Sequence, residues 1–292
     1  MRLVLKQSET LLNKKINITK RVVPSFDVAW HYHKEFELLY ISQSNGIRFV
    51  GDNVSPFFPG DLVLVGSNLP HLWRSDPSYY ETNSTKNIKT IVTKFTKDFL
   101  GVDFFSNQQF YKIQKLLQAS KYGLYFNREV SQSLHNEIMK LPDLSPIEQN
   151  IALLNILHKL SIVKEVNKTV LSSSDMRQSF TESSEKIDIV LKYISDNYAT
   201  NINLEKVASV ACMTTNSFCR FFKKTTTKTF TKLVNEYRVV HATKLLAESN
   251  MNIADISFEC GFNNFSHFNK LFKEFTGKSA SVYRSELKDL IQ

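Results

Sequence analysis

No run of apolar residues in this chain approaches the roughly 20 that a membrane-spanning helix needs, so the sequence predicts no transmembrane segment. The N-terminal stretch MRLVLKQSETLLNKK lacks a sustained hydrophobic centre and a small-residue cleavage site, and no signal peptide is expected. Cysteine is scarce: three residues, an odd number without paired spacing, argue against a disulfide framework and fit a reducing compartment. Acidic residues are outnumbered, 28 against 37 Lys and Arg, which leaves a net charge of +9. That excess favours polyanionic partners such as nucleic acid or anionic lipid, although the basic residues are spread along the whole chain. Together these features predict a cytoplasmic protein. Its 292 residues, 42% hydrophobic and 22% charged, are ordinary for a globular chain and long enough for two domains, each with its own core.

What is present is organised around Gly261 to Arg284. Phe265, Phe268, Phe272 and Phe275 recur at helical spacing, the period of one buried face. Ser266, His267, Asn269, Lys270 and Lys273 lie between them. A small helix anchored by aromatics and presenting polar, basic side chains suits a DNA major groove. The pattern gains weight from a copy about fifty residues upstream. Phe218-Cys219-Arg220-Phe221-Phe222-Lys223 matches Phe268-Asn269-Lys270-Leu271-Phe272-Lys273, and Thr226-Thr227-Lys228-Thr229 matches Thr276-Gly277-Lys278-Ser279. Each copy follows a short segment with small residues, Ala208 and Ala211 or Ser257 and Cys260, which allow two helices to approach closely. A short helix, a tight turn and a second helix make a helix-turn-helix. Two in register point to a duplicated function.

On these residues, over roughly 185–288, the chain resembles the AraC/XylS family of bacterial transcription regulators. Three positions depart from the family pattern: Cys212 and Thr227 stand where glycine is common, and Ala280 where proline is usual. The resemblance implies a double helix-turn-helix whose two recognition helices reach successive major grooves, about 34 Å apart. The DNA-contacting candidates are Thr215, Asn216, Cys219, Arg220 and Lys223 in the first unit. In the second they are Asn264, Phe265, Ser266, Asn269, Lys270 and Lys273. Arg220 can bond guanine in bidentate fashion and Asn216 adenine. Lys223, Lys224, Lys228, Lys273 and Lys278 suit phosphates, which position a protein without reading sequence. A long helix of about Thr231 to Glu248 is expected to join the units, with His241 on its packed face.

The first 95 or so residues read as strands. Short β-type segments at Val4, Ile16, Ile18, Val22 and Val23 precede Val28–Ser42, Gly46–Phe58, Asp61–Gly66 and Thr90–Thr96, with turn signals at Asn45-Gly46, Gly51-Asp52-Asn53 and Pro59-Gly60. That predicts a small antiparallel barrel or sandwich. If Val28–Ser42 is one strand, His31, His33, Glu35 and Glu37 share a face, and Trp30, Tyr32, Phe36, Leu38 and Tyr40 the other. His31-Tyr32-His33 with Glu37, followed by Pro59-Gly60 and His71, resembles the two motifs of a cupin barrel. In metal-binding cupins the matching ligands would be His31, His33, Glu37 and His71, a set suited to Fe, Mn, Ni or Zn. The same residues serve equally as an effector pocket without a metal, with Tyr40, Arg48 and Trp73 around it. The latter reading is adopted, with no cofactor required and no catalytic residue assigned.

From about 96 to 164 the composition turns helical. Helices are expected around Phe110–Leu117, around Val130–Leu141, and from a capping start at Ser145 to Ile162. The broad apolar stripe of Ile151, Leu154, Leu157, Leu160 and Ile162 suits a dimer interface or internal packing. The Ser- and Thr-rich segment 166–184 reads as a linker. The expected fold is α+β: a cupin-like effector and dimerisation domain over 1–165, a linker over 166–184, and an all-α DNA-binding domain over 185–292. The expected function is sequence-specific transcription regulation in response to a small molecule, such as a sugar or related metabolite. The expected assembly is a homodimer on double-stranded DNA, meeting RNA polymerase if it activates. The alternative is a metal-dependent cupin enzyme fused to a DNA-binding module.

Overall fold

A computed structural model describes residues 15–26, 30–81, 84–173 and 184–289. The expected strand at Val4, the start of the Val28 strand and most of the linker (174–183) lie outside these residues. The chain divides into two units, one lying mostly before Glu182 and the other mostly after Ser183.

The first unit is built from β1 (Ile16–Val23), β2 (Phe36–Gln43), β3 (Gly46–Val50), β4 (Asn53–Phe57), β5 (Leu62–Val65), β6 (His71–Ser75) and β7 (Ile88–Phe95). Helix α1 (Tyr111–Ala119), strand β8 (Leu124–Phe126), helices α2 (Arg128–Lys140) and α3 (Pro146–Ser161), and strand β9 (Lys168–Val170) complete it. The strands form a six-stranded sheet ordered β1-β7-β2-β5-β8-β9 and a three-stranded sheet ordered β4-β3-β6. The observed arrangement is therefore an antiparallel two-sheet structure rather than one closed barrel.

Strand β2, FELLYISQ, shows how the layers are made. It is apolar on both faces because both are covered. Phe36, Leu38 and Tyr40 join a core with α1, α2 and α3, whose inward residues include Leu116, Leu134 and Leu157. Leu39 and Ile41 point the other way, into a second core with Val50, Phe57, Leu69 and Trp73. Helix α3 starts as its sequence predicts: the Ser145 amide donates to Glu148 Oε2 at 2.9 Å, with Pro146 at the first helical position.

Two expectations change here. The Val28–Ser42 strand is not continuous. His31 exchanges backbone hydrogen bonds with His71 of the small sheet at 3.2 and 2.9 Å, whereas Phe36 onward pairs with β7 of the large sheet. The chain crosses between sheets at His33–Glu35, so the simple alternation of faces fails there. Residues 168–170, expected as linker, instead form the edge strand β9 against β8. Ser172 Oγ and the Ser173 amide then donate to Asp52 Oδ1 at 2.9 and 2.8 Å.

The second unit holds α4 (Ser184–Asn197), α5 (Leu204–Val210), α6 (Thr215–Thr226), α7 (Phe230–Glu248), α8 (Ile253–Glu259), α9 (Phe265–Thr276) and α10 (Ala280–Asp289). Ile187, Val190, Leu191 and Ile194 are the buried face of α4, as their spacing predicts. Helix α7 is about 28 Å long at 1.5 Å per residue, and it buries Leu233, Val234, Tyr237, Val240 and His241. His241 stacks on Tyr198, ring centroids 4.0 Å apart and planes 14° from parallel, which gives it a packing role. Among the described residues no helix is long and apolar enough to cross a membrane.

Candidate functional site

The two helix-turn-helix units, α5–α6 and α8–α9, repeat each other down to their hydrogen bonds. In the first turn, Cys212 N donates to Ser209 O at 2.9 Å and Met213 N to Ala208 O at 2.9 Å. In the second, Gly261 N donates to Phe258 O at 2.8 Å and Phe262 N to Ser257 O at 3.0 Å. Thr214 caps α6 by accepting from Ser217 N, and Asn264 caps α9 by accepting from His267 N. At the far ends, Thr226 Oγ1 donates to Phe222 O at 2.8 Å and Thr276 Oγ1 to Phe272 O at 2.7 Å. Phe218, Phe222, Phe268 and Phe272 are fully buried, and they fix how each recognition helix is presented.

The opposite faces are open. Asn216, Cys219, Arg220 and Lys223 on α6, and Phe265, Ser266, Lys270 and Lys273 on α9, are all exposed; Thr215 and Asn269 are half-buried. Phe265, grouped by spacing with the buried phenylalanines, is 38% exposed and belongs to the outer face. Two candidates also have partners within the protein. The Asn264 carboxamide oxygen is committed to the cap, accepting from His267 N at 2.9 Å. Lys228, expected at a phosphate, pairs with Glu236 at 2.5 Å. Lys223, Lys224, Lys273 and Lys278 are exposed. Cys212 and Cys219 are exposed thiols, whereas burial pushes the Cys260 thiol up to about 12.

A second constellation lies between the sheets of the first unit. The sheet crossing lays His31 and His33 over the inner face of β2, where Glu37 points, and β6 brings His71. One donor atom from each of the four residues falls within 4.8 Å of the others. All four are buried, at 8, 2, 5 and 1% exposure for His31, His33, Glu37 and His71. His33 Nδ1 lies 3.0 Å from Glu35 O and His71 Nδ1 2.7 Å from Leu69 O. A carbonyl only accepts, so both rings carry hydrogen on Nδ1 and turn Nε2 inward. His33 Nε2 is 3.0 Å from Glu37 Oε2. His71 Nε2 is buried without a hydrogen-bond partner. Burial, with His71 alongside, holds His31 well below the ordinary histidine value, and burial lowers His71 too. Burial works to raise Glu37, but the His33 and His71 side chains against it, with His71 Nε2 3.8 Å from Oε2, and the Lys94 charge hold it well below the usual carboxylate range. Two neutral inward-facing imidazoles, His33 and a carboxylate make a donor set that a transition metal fits.

The expected effector pocket is only partly assembled. His31, Glu37 and Trp73 line a small cavity of about 40 Å³ together with Arg21, Phe26, Leu39, Val92 and Lys94. Lys94 Nζ sits 3.3 Å from Glu37 Oε2. Tyr40 is not part of it: two residues from Leu38, it faces the helices, and its hydroxyl meets His135 Nδ1 at 2.7 Å. Arg48 is not part of it either. It forms a buried ion pair with Asp61 and covers the Tyr125 ring at 4.5 Å. In sequence, Arg21 and Lys94 carry no mark of this cavity, because a lysine in the strand IKTIVTKF looks solvent-facing. The signal lies in the register, which sets Lys94 opposite Glu37.

Residues 207–286 match a family model described as a helix-turn-helix domain. The chain is 21% identical over 262 residues to the HTH-type transcriptional activator RhaS of Escherichia coli O81, covering 89% of this chain and 88% of that one. A solved structure of ToxT from Vibrio cholerae, bound to an unsaturated fatty acid, is 16% identical over 93% of this chain and 95% of that one, with a TM-score of 0.36. A transcriptional regulator with an AraC-type DNA-binding domain from Chromobacterium violaceum is 20% identical over 36% of this chain and 94% of its own, with a TM-score of 0.35.

Proposed function

We infer that this chain is a one-component regulator of the AraC/XylS family, reading DNA with its C-terminal unit and a small-molecule effector with its N-terminal one. The observation that carries the DNA-binding role is the duplicated unit itself: two helix-turn-helix frames with the same turn bonds and caps, each exposing a polar face. Arg220 and Asn216 read bases from the first recognition helix, and Ser266 and Lys270 from the second. Lys223 and Lys273 hold phosphates.

The first domain extends through β9 to Ser173 and the second begins with α4 at Ser184, which narrows the linker from 166–184 to 174–183. The cavity lined by His31, Glu37 and Trp73 supports effector binding in a cupin-like first domain, because charged side chains and an aromatic ring converge on it. A homodimer is supported by α3, where Leu153, Ile156, Leu157 and Leu160 are buried while Ile147 and Ile151 stay 68 and 63% exposed on a second apolar face. The protein works in the cytoplasm. Effector binding alters DNA affinity or site spacing, and linkage requires DNA to alter effector affinity by the same factor. If it activates, it also meets RNA polymerase.

Selection of duplexes from a random pool by the full chain tests the reading. The expected product is a motif of two blocks about one helical turn apart. A pool that enriches no motif overturns it.

A further inference from the structure

A separate hollow lies under α1, on the helix-covered side of the large sheet. It measures about 330 Å³, within the roughly 300–1,000 Å³ range of small-molecule sites, whereas the cavity between the sheets holds about 40 Å³. Its floor is apolar, made by Phe36, Phe105 and Leu117 of the core beneath the helices. Phe36 stacks on Phe95 with ring centroids 5.4 Å apart, and Phe105 leans on Phe99 at 5.6 Å, which holds both rings in place. One wall is pinned from two sides. Gly66 N donates to Ser120 O at 2.9 Å and Asn68 N to His33 O at 2.7 Å, which fixes Ser67 between them. A Cβ at Gly66 would lie 2.6 Å from Ser120 O, so this approach of the loop to the end of α1 needs glycine. A site held this way is built before its ligand arrives.

The rim carries one sign of charge. Lys97 and Lys121 border the hollow with Gln114 and Gln118, one turn apart on α1, and no acidic side chain lines it. Asp98, next in sequence to Lys97, is held by Lys15 at 2.9 Å. Among the described residues Lys97 and Lys121 have no ion-pair partner, and the two glutamine side chains have no hydrogen bond. Lys121 Nζ stands 4.6 Å from the centre of the Tyr122 ring, a contact that occupies one side of the ammonium. The carbonyl end of α1 is already engaged, with Ser120 O accepting from Gly66 N and Gly123 N at 2.9 and 2.8 Å, so the lysines set the field. Beyond Gln118 and Lys121 a second hollow adds Lys112 and Lys115, which extends the positive field along α1.

We propose that this hollow binds the phosphate monoester of a small organic alcohol, with the phosphate between Lys97 and Lys121 and the organic body on Phe36 and Phe105. The charge sum selects the head group: two lysines without an acid match a phosphate monoester, which carries about −1.5 to −2 at pH 7 and three acceptor oxygens, better than a monocarboxylate. Two ammonium groups and two amides supply the donors, and charge-assisted bonds of this kind are the strong ones. The site also touches the chain that carries the buried cluster. Phe36 directly precedes Glu37, and the pinned wall bonds to His33. The inference rests on the effector reading of the first unit for its consequence at DNA, not for the binding itself.

The test is calorimetric titration of the full chain with phenyl phosphate, beside inorganic phosphate, benzoate and malonate at equal ionic strength. One phenyl phosphate per chain is expected, bound at least about 10-fold tighter than each of the other three. Lys97→Ala and Lys121→Ala should each weaken it about 10-fold. Lys140→Ala, which removes an exposed lysine at the end of α2, should leave it unchanged. Far-UV circular dichroism and the unfolding midpoint report that each variant still folds. No saturable heat up to about 10 mM phenyl phosphate, or equal losses in Lys140→Ala and Lys97→Ala, overturns the site. Inorganic phosphate, benzoate or malonate binding as tightly as phenyl phosphate overturns the ligand class. Duplex selection is run on the same preparations. A chain that selects a duplex motif but binds no phenyl phosphate overturns this inference while the regulator reading stands. Lysine-dependent binding of phenyl phosphate without duplex selection supports the site and removes the regulator reading.

Discussion

The two helix-turn-helix units follow the same backbone path with different residues at its two hardest points. Cys212 and Gly261 both sit at positive φ, 54° and 84°, and so do Thr227 and Gly277, at 60° and 77°. A left-handed backbone costs a residue with a Cβ about 1 kcal/mol or more, and a β-branched one most. The first unit therefore keeps the turn and carries the strain rather than adopting a different turn. Backbone hydrogen bonds and the packing of paired helices impose the conformation, and residue identity sets only its cost. The second turn differs in its surroundings. A Cβ at Gly261 would lie 2.7 Å from Tyr198 O and 2.8 Å from the Ala199 carbonyl. Arg238 holds that segment in place, with Nε donating to Tyr198 O at 2.7 Å and a terminal nitrogen to Thr200 O at 2.8 Å. Cys212 instead has its side chain exposed.

The largest effect is expected where the units differ in space as well as in φ. Gly261→Ala should destabilise the C-terminal unit by about 3 kcal/mol in denaturant unfolding, combining backbone strain with a clash against backbone atoms. A loss of only about 1 kcal/mol would mean that the Tyr198–Ala199 segment yields and the asymmetry is one of φ alone. Next comes base reading. Arg220→Ala should cost about 1–3 kcal/mol at the preferred site and relax preference at one base pair. Equal weakening on all sequences in a binding assay would reassign Arg220 to a phosphate. Exchanging the C-terminal caps tests the strain itself. Thr227→Gly should stabilise by about 0.5–1 kcal/mol and Gly277→Thr destabilise by about 1 kcal/mol or slightly more. A Cβ at Gly277 meets nothing within 4 Å, so only φ is at stake. The smallest effect belongs to Lys273→Ala, which should weaken binding evenly and reduce the slope of log affinity against log salt by about one. An unchanged slope would remove the phosphate role.

Much of this was legible in order of residues because it is periodic. The aromatic spacing at Phe218 and Phe222, repeated at Phe268 and Phe272, identifies two buried faces, and the small residues before them identify partner helices. The same spacing misplaces Phe265, since a helix end can leave its first aromatic outside the core. Helices α1 to α3 and the Ser145 start of α3 also lie where their apolar steps put them. The pocket was less legible. Residue type places Tyr40 in it, although strand alternation sets it opposite Glu37. Charge places Arg48 there, while its partner Asp61 belongs to a neighbouring loop that only pairing brings near.

Local periodicity thus determines where the helices form and where the duplicated reader lies, and the cupin resemblance marks His31, His33, Glu37 and His71. Tertiary structure decides what those residues do together. The crossing from one sheet to the other at His33–Glu35 stacks residues of two sheets into one buried cluster, and the β2–β7 register sets Lys94 against Glu37. Convergence of this kind depends on long-range pairing, and in the one-dimensional order of residues nothing marks which distant side chain will complete a charge.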